Sequence, residues 1–158
     1  MKRALAPPLV LVLAYGSNLR GEQMLARCPS AIALGVGRLP RHRLAFGGWS
    51  HGWQGGVATV EAAVGAVEGL VYRISAGDLA ELDRYEGAPH VYTRELRTIG
   101  LAGLKVQAWV YRHTRPIPAG PSYRYFAAIA EGRTRAGLSL APLIEAAERA
   151  AQTAAEGE

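Results

Sequence analysis

Leu9-Val10-Leu11-Val12-Leu13-Ala14-Tyr15-Gly16-Ser17-Asn18-Leu19 is the stretch from which the rest of the chain can be read. Leu9 to Leu13 is an unbroken apolar run with two valines, the pattern of a strand buried on both faces. Tyr15-Gly16-Ser17-Asn18 is a turn-forming cluster. From Leu19 to Arg27 the apolar side chains Leu19, Met24 and Leu25 are spaced more as on a helix. A buried strand that feeds a tight Gly-Ser-Asn loop and then a helix start presents backbone N–H groups to an anion. The loop therefore reads as a binding cradle, with the catalytic group supplied from elsewhere.

Beyond that unit, Ala31–Leu39 and His42–Phe46 read as short strands separated by Pro40-Arg41. Gly47 to Gly56 carries five glycines with Trp49, Trp53 and His51, and reads as a loop of the kind that flanks sites. Val57–Val60 and Ala66–Ile74 are the next two strands, joined across Glu61–Gly65. Ser75-Ala76-Gly77-Asp78 outlines a capping box. The helix it opens buries Leu79 and Leu82 and stops near Tyr85-Glu86-Gly87, with Gly87 as a left-handed terminator. Val91–Ile99 and Leu104–His113 alternate in period two and form a hairpin across Gly100–Gly103. Ser122 caps a helix to about Arg135, and Ser139 starts a last amphipathic helix that frays after Gln152. Six or seven strands with two or three helices predict an α+β domain around a small closed or strongly curved sheet.

Composition narrows the function. A chain of 158 residues is read as one domain, 1–158, with frayed ends at 1–8 and 153–158. It buries roughly 68–70% of its unfolded surface and needs no disulfide or metal to fold. Cys28 is the only cysteine, expected as a packed core thiol in a reducing cytoplasm. Lys2-Arg3 ahead of an apolar run resembles a secretory signal. Pro7-Pro8 interrupt it, however, and Leu9–Ala14 is too short for an h-region. No stretch approaches the ~20 apolar residues of a membrane span. The net charge of +5 comes from scattered arginines, with only two lysines among 18 basic residues. The expected partner is a small molecule, with no nucleic acid and no membrane; a homodimer is left open.

Familiar catalytic patterns are missing. Ser17 lacks the G-x-S-x-G elbow, no Gly-Lys-Ser/Thr appears, and His42, His51, His90 and His113 have no ligand-spaced partner, so no metal is expected. Glu86 stands out instead. A glutamate at a helix C-terminus faces the negative end of the macrodipole, which disfavours its charged form, and its neighbours Tyr85, Ala88 and Pro89 offer no cation. Partial burial would push its pKa the same way, towards the range of a general acid–base.

These residues resemble the gamma-glutamylcyclotransferase family. Ala14-Tyr15-Gly16-Ser17-Asn18-Leu19 is similar to its Y-G-S-N-L signature. Ala58-Thr59-Val60 and Val67-Glu68-Gly69-Leu70-Val71-Tyr72 resemble its A-T-I and V-x-G strands. Leu82-Asp83-Arg84-Tyr85-Glu86-Gly87 matches L-D-x-x-E-G, Val91-Tyr92 resembles the Tyr that follows, and Pro121-Ser122-Tyr123-Arg124-Tyr125 matches P-S-x-x-Y. Four short motifs in order along nearly the whole chain make the resemblance specific.

The resemblance implies a small mixed β-barrel flanked by helices. It also implies intramolecular aminolysis of a gamma-glutamyl amide to 5-oxoproline and a free amine, with no cofactor. Glu86 would be the acid–base residue, and Tyr15, Gly16, Ser17, Asn18 and Leu19 would hold the substrate's α-carboxylate and γ-carbonyl. Tyr92, Tyr111 and Tyr125 match family tyrosines near the pocket and either orient substrate or pack the core. Gly132-Arg133 departs from the family's Gly-Ala and is expected to alter what covers the pocket. The loop differs from those of glutathione-specific and gamma-glutamylamine relatives, which disfavours glutathione and favours a gamma-glutamyl amino acid or a gamma-glutamyl-capped metabolite. Two alternatives use the same residues: removal of a gamma-glutamyl protecting group from a biosynthetic intermediate, and a non-catalytic ligand-binding relative.

Overall fold

The computed structural model describes residues 8–157. The expected fraying of residues 1–7 and of 158 lies outside them. Five strands, β1 (Leu9–Ala14), β2 (Ile32–Ser50), β3 (Gly55–Ser75), β4 (Tyr92–Leu101) and β5 (Leu104–His113), close into a barrel in the order β1-β3-β2-β4-β5. All neighbours are antiparallel except β1 and β5, which meet in parallel at Val12 and Trp109. The sheet is therefore mixed. Four helices flank it: α1 (Gly21–Arg27), α2 (Ala76–Glu86), α3 (Tyr123–Arg135) and α4 (Ala141–Glu156). The last extends past Gln152, where its sequence pattern ends.

The α+β barrel agrees with expectation, but the expected six or seven strands become five. The two pieces on either side of Pro40-Arg41 form one strand, and so do the two on either side of Glu61–Gly65. Proline and glycine there bend the ladder instead of ending it. Between the pairs Pro40–Ala66 and His42–Ala62, Arg41 lies opposite Ala63–Gly65, with φ of 59° at Arg41 and 111° at Gly65. Bulges of this kind kink a strand and strengthen its twist. They let two very long strands wrap a barrel that straight ones could not close. The expected 47–56 loop shrinks likewise to a turn at 51–54, with Gln54 at φ 58°.

Packing inside the barrel depends on missing side chains. A Cβ on Gly37 would lie 2.4 Å from Val71 Cγ2 and close to Ile99 and Leu13, all three buried. The β4–β5 hairpin turns through Ala102 and Gly103, at φ 51° and 78°, the two left-handed residues of a tight hairpin loop.

Helix α2 starts where the sequence places it. Ser75 Oγ accepts from Asp78 N at 3.1 Å. The reciprocal half of the box runs through Ser30: Ser30 N donates to Asp78 Oδ2 at 2.8 Å and Ser75 N donates to Ser30 Oγ at 3.0 Å. Ser75→Ala should therefore cost about 1 kcal/mol, read as a lower urea midpoint at unchanged slope. Gly87, at φ 65°, ends the helix, and its N–H bonds Arg84 O. That stop leaves Glu86 as the last residue of α2, against the open end of the barrel.

Candidate active site

A cavity of about 400 Å³ opens at that end. Tyr15, Gly16, Ser17, Asn18, Glu86, Tyr92, Tyr111 and Tyr125 line it, gathered from the segment that follows β1, α2, β4, β5 and α3. Residues spread over more than a hundred positions thus face one space. Leu19 does not line it. Its side chain is buried behind the turn, where a Cβ on Gly132 of α3 would come within 2.6 Å of Leu19 Cβ. Its N–H is also occupied, bonding Gly16 O at 3.0 Å.

The turn after β1 is a single 3-10 turn, Ser17–Leu19, followed by α1. The N–H groups of Gly16, Ser17 and Asn18 meet no acceptor among the described residues. They are the orphan donors of a helix start, suited to an anion or a developing oxyanion. Gln23 of α1 braces the turn by donating to Ser17 Oγ at 2.7 Å and to Asn18 Oδ1 at 3.0 Å. No histidine bonds Ser17 among the described residues, so its hydroxyl has no base to make it a nucleophile. Cys28 is no substitute. It is fully buried, and burial pushes its thiol up to about 11.

Glu86 keeps 17% of its side chain exposed. Asn18 Nδ2 donates to its Oε1 at 3.3 Å, and Arg27 Nη1 lies 3.8 Å from the same oxygen. Arg27 also donates to Asn18 Oδ1 at 3.1 Å, which turns the amide so that its NH₂ faces Glu86. Burial raises the Glu86 pKa above the ordinary carboxylate value, Arg27 and Asn18 pull it back, and Asp83 adds to the rise. The cation missing from the sequence neighbourhood is thus Arg27, nearly sixty positions away on α1. Removing it as Arg27→Met should raise the Glu86 pKa further. If the carboxylate is the working form, the acid limb of the pH–rate profile should move to higher pH.

The tyrosines divide into two sets. Tyr15 donates its hydroxyl to the backbone carbonyl of Tyr111 in a short bond. Tyr111 in turn donates to Asp83 Oδ1 at 2.6 Å. Asp83 is held by Arg94 in a two-pronged pair at 2.9 and 3.0 Å, and Arg94 stacks 4.1 Å above the Trp109 ring. This chain braces the wall next to the turn.

Tyr92 and Tyr125 instead clamp one residue of β3. Tyr92 donates to Ala58 O at 2.7 Å, while Tyr125 accepts from Ala58 N at 2.8 Å. The Tyr125 hydroxyl proton therefore remains without an acceptor among the described residues, in a group that lines the cavity. Burial raises all four tyrosine pKa values, so these groups stay protonated and act only through hydrogen bonds.

Some wall residues escaped the sequence reading. His113 lines the cavity with its ring edge-on to Tyr92, at 5.2 Å between centroids. Its Nδ1 accepts from Arg115 N at 3.1 Å and burial lowers its pKa, so it is neutral with the proton on Nε2. Arg133, whose place after Gly132 was expected to alter what covers the pocket, does not line it. It is buried on the far side, with Nε donating to Ser139 O at 2.7 Å, where it holds the α3–α4 turn. Among the described residues no group of three or more His, Cys, Asp or Glu is placed to hold a metal, and no helix is long and apolar enough to cross a membrane.

The closed barrel thus sets a largely buried carboxylate, Glu86, beside a turn whose N–H groups meet no acceptor among the described residues. A family model described as gamma-glutamyl cyclotransferase, AIG2-like, matches residues 12–127. The gamma-glutamylcyclotransferase of Mus musculus is 35% identical over 135 residues, 81% of this chain and 72% of that one. The Homo sapiens gamma-glutamylcyclotransferase is 34% identical over 137 residues, 82% of this chain and 73% of that one. A solved gamma-glutamyl cyclotransferase structure superposes with a TM-score of 0.79 at 31% identity, covering 90% of this chain and 86% of its own. The chain belongs to the gamma-glutamyl cyclotransferase, AIG2-like family of enzymes.

Proposed function

We propose that this chain, acting as one domain, cyclises a gamma-glutamyl amide to 5-oxoproline and releases the amine. The observation that carries the reading is the placement of Glu86, a largely buried carboxylate, within hydrogen-bond reach of Asn18 and beside the free N–H groups of Gly16, Ser17 and Asn18.

The reaction needs little more. The substrate's α-amine attacks its own γ-carbonyl carbon, so the site has only to hold a folded conformer. As carboxylate, Glu86 takes a proton from the α-ammonium, which frees the lone pair. The new C–N bond closes the lactam ring while the free N–H groups of the turn take the charge that develops on the γ-oxygen. Glu86 then returns that proton to the departing nitrogen as its C–N bond breaks, and the carboxylate so restored passes the ring nitrogen's remaining extra proton to the freed amine, which leaves a neutral lactam and an ammonium; one residue serves every transfer. Both reacting groups belong to the substrate, so the scheme requires no cofactor. A raised pKa suits the double role, since it brings acid and base forms closer in population near neutral pH. The buried, unpaired Cys28 accords with a reducing cytoplasm as the place of action.

The test is direct. The purified chain is incubated with a panel of gamma-glutamyl amino acids and amines, and 5-oxoproline is measured alongside the released amine. Equal amounts of the two should appear. Hydrolysis to free glutamate instead would mean that water, not the α-amine, is the nucleophile, and would overturn the proposal.

A further inference from the structure

We propose that the amine released is a large apolar or aromatic amino acid, chosen by Trp49, Trp53 and Tyr85 at the cavity mouth. The inference rests on the cyclotransferase reading and names the substrate class of the same site.

The cavity has two unlike ends. The inner end holds Glu86, the free N–H groups and four buried tyrosines, and so suits the charged glutamyl head. The outer end holds Trp49, Tyr85 and Val91, which line the cavity yet are 58%, 58% and 48% exposed. Exposed aromatic side chains gathered at one opening do nothing for the core, and grouped exposed apolar surface marks a place where something binds. About 400 Å³ is more than a glutamyl head fills, so the remainder of the substrate must lie against this rim.

The aromatic wall is braced. Trp53 packs on Tyr125 at 4.9 Å between centroids, and the Arg124 guanidinium covers its other side at 4.8 Å. Arg124 is tied in turn to Gly52 O in the turn between β2 and β3. Arg27 stacks on Tyr85 at 5.0 Å. A rigid aromatic surface binds a flat apolar group at low entropic cost.

Charge sets the rest of the preference. Among the lining residues Glu86 is the sole carboxylate, against Arg27 and Arg84. A released amine with a second cation, such as a diamine, has no partner at the rim. One with a carboxylate meets Arg84, an exposed residue of the same opening whose pairing with Glu81 at 3.3 Å is itself solvent-exposed.

The experiment compares kcat/KM for gamma-glutamyl-phenylalanine, gamma-glutamyl-glycine and a gamma-glutamyl diamine, in the wild-type chain and in Trp49→Ala and Trp49→Phe. Phenylalanine should be favoured over glycine roughly 10–100-fold, the effect of burying an aromatic side chain. In Trp49→Ala that ratio should fall to about 3 or less, the loss lying mainly in KM, and Trp49→Phe should restore most of it. Titration of intrinsic tryptophan fluorescence with gamma-glutamyl-phenylalanine gives a second readout and should show quenching that weakens in Trp49→Ala. Turnover of all three substrates at similar kcat/KM, or preference for the diamine, would overturn the inference and leave the cyclotransferase reading standing. No 5-oxoproline from any of them would overturn both.

Discussion

Glu86→Gln should lower kcat/KM about 10²–10⁴-fold, the usual contribution of a positioned general acid–base. The substitution keeps the volume and one acceptor oxygen for Asn18, so the cavity should hold its shape. It removes the one carboxylate that lines the cavity among the described residues. The loss should fall on kcat more than on KM, because the N–H groups of the 16–18 turn are untouched.

Stability should move the other way. Burial raises the folded-state pKa of Glu86 above the value of an exposed carboxylate. A raised pKa means that the folded state binds the proton more tightly than the unfolded one. Folding is then favoured by low pH, and the ionised group weighs against the fold once pH exceeds the folded pKa. At neutral pH Glu86→Gln should therefore melt at a higher temperature than the wild type while being nearly inactive. A merely structural glutamate at the end of α2 would show the change in stability without the rate loss. Full turnover in the purified variant would remove Glu86 from the mechanism.

Much of this site was legible in the sequence, because local rules govern its parts. Ser75 and Gly87 bracket α2 by capping chemistry alone, and the bracket puts Glu86 at the helix end. The 15–18 turn follows from glycine and short polar residues after an apolar strand. What stayed hidden depends on closure of the barrel. Arg27 and Glu86 lie far apart in sequence, and only the packing of α1 beside α2 makes the first the counter-charge of the second. Asp83, Arg94 and Tyr111 form their chain because β4, β5 and α2 converge, which no spacing rule records.

The strand count failed for a related reason. Proline and glycine signal the end of a strand locally, but in a long hairpin whose partner continues past them the ladder resumes beyond the bulge. Leu19 shows the converse limit: a residue inside a signature can belong to it for packing, here against Gly132 of α3, and not for contact with a ligand.

Gly69→Ala is expected to be a severely damaging small substitution, and it links barrel closure to the cradle. Gly69 pairs with Gly37 across the β2–β3 ladder and lies next to the end of β1. A Cβ there would sit 2.2 Å from Ala14 O and 3.0 Å from Ala14 C. Those atoms are backbone, held in the β1–β3 ladder by the Ala14–Leu70 pair, so no rotamer change relieves the clash. Overpacking of this sort costs about 3 kcal/mol at the upper end of its usual range. For a chain of this size that corresponds to a fall in Tm of roughly 6–12 °C.

The site should suffer beyond that loss, because Ala14 leads directly into Tyr15 and the free N–H groups of the turn. Any shift of the Ala14 carbonyl re-aims those donors, and misplacement by about an ångström is enough to cost 10²-fold in rate. Folded Gly69→Ala protein, assayed well below its own Tm, should therefore still show a large deficit in kcat/KM with the Glu86 acid limb in place. Gly21→Ala is the matched control. A Cβ there meets nothing within 4 Å, so stability should change by no more than about 0.5 kcal/mol. Equal melting temperatures for the two variants would mean that β1 gives way at no cost, and that the cradle is not held by the strand it follows.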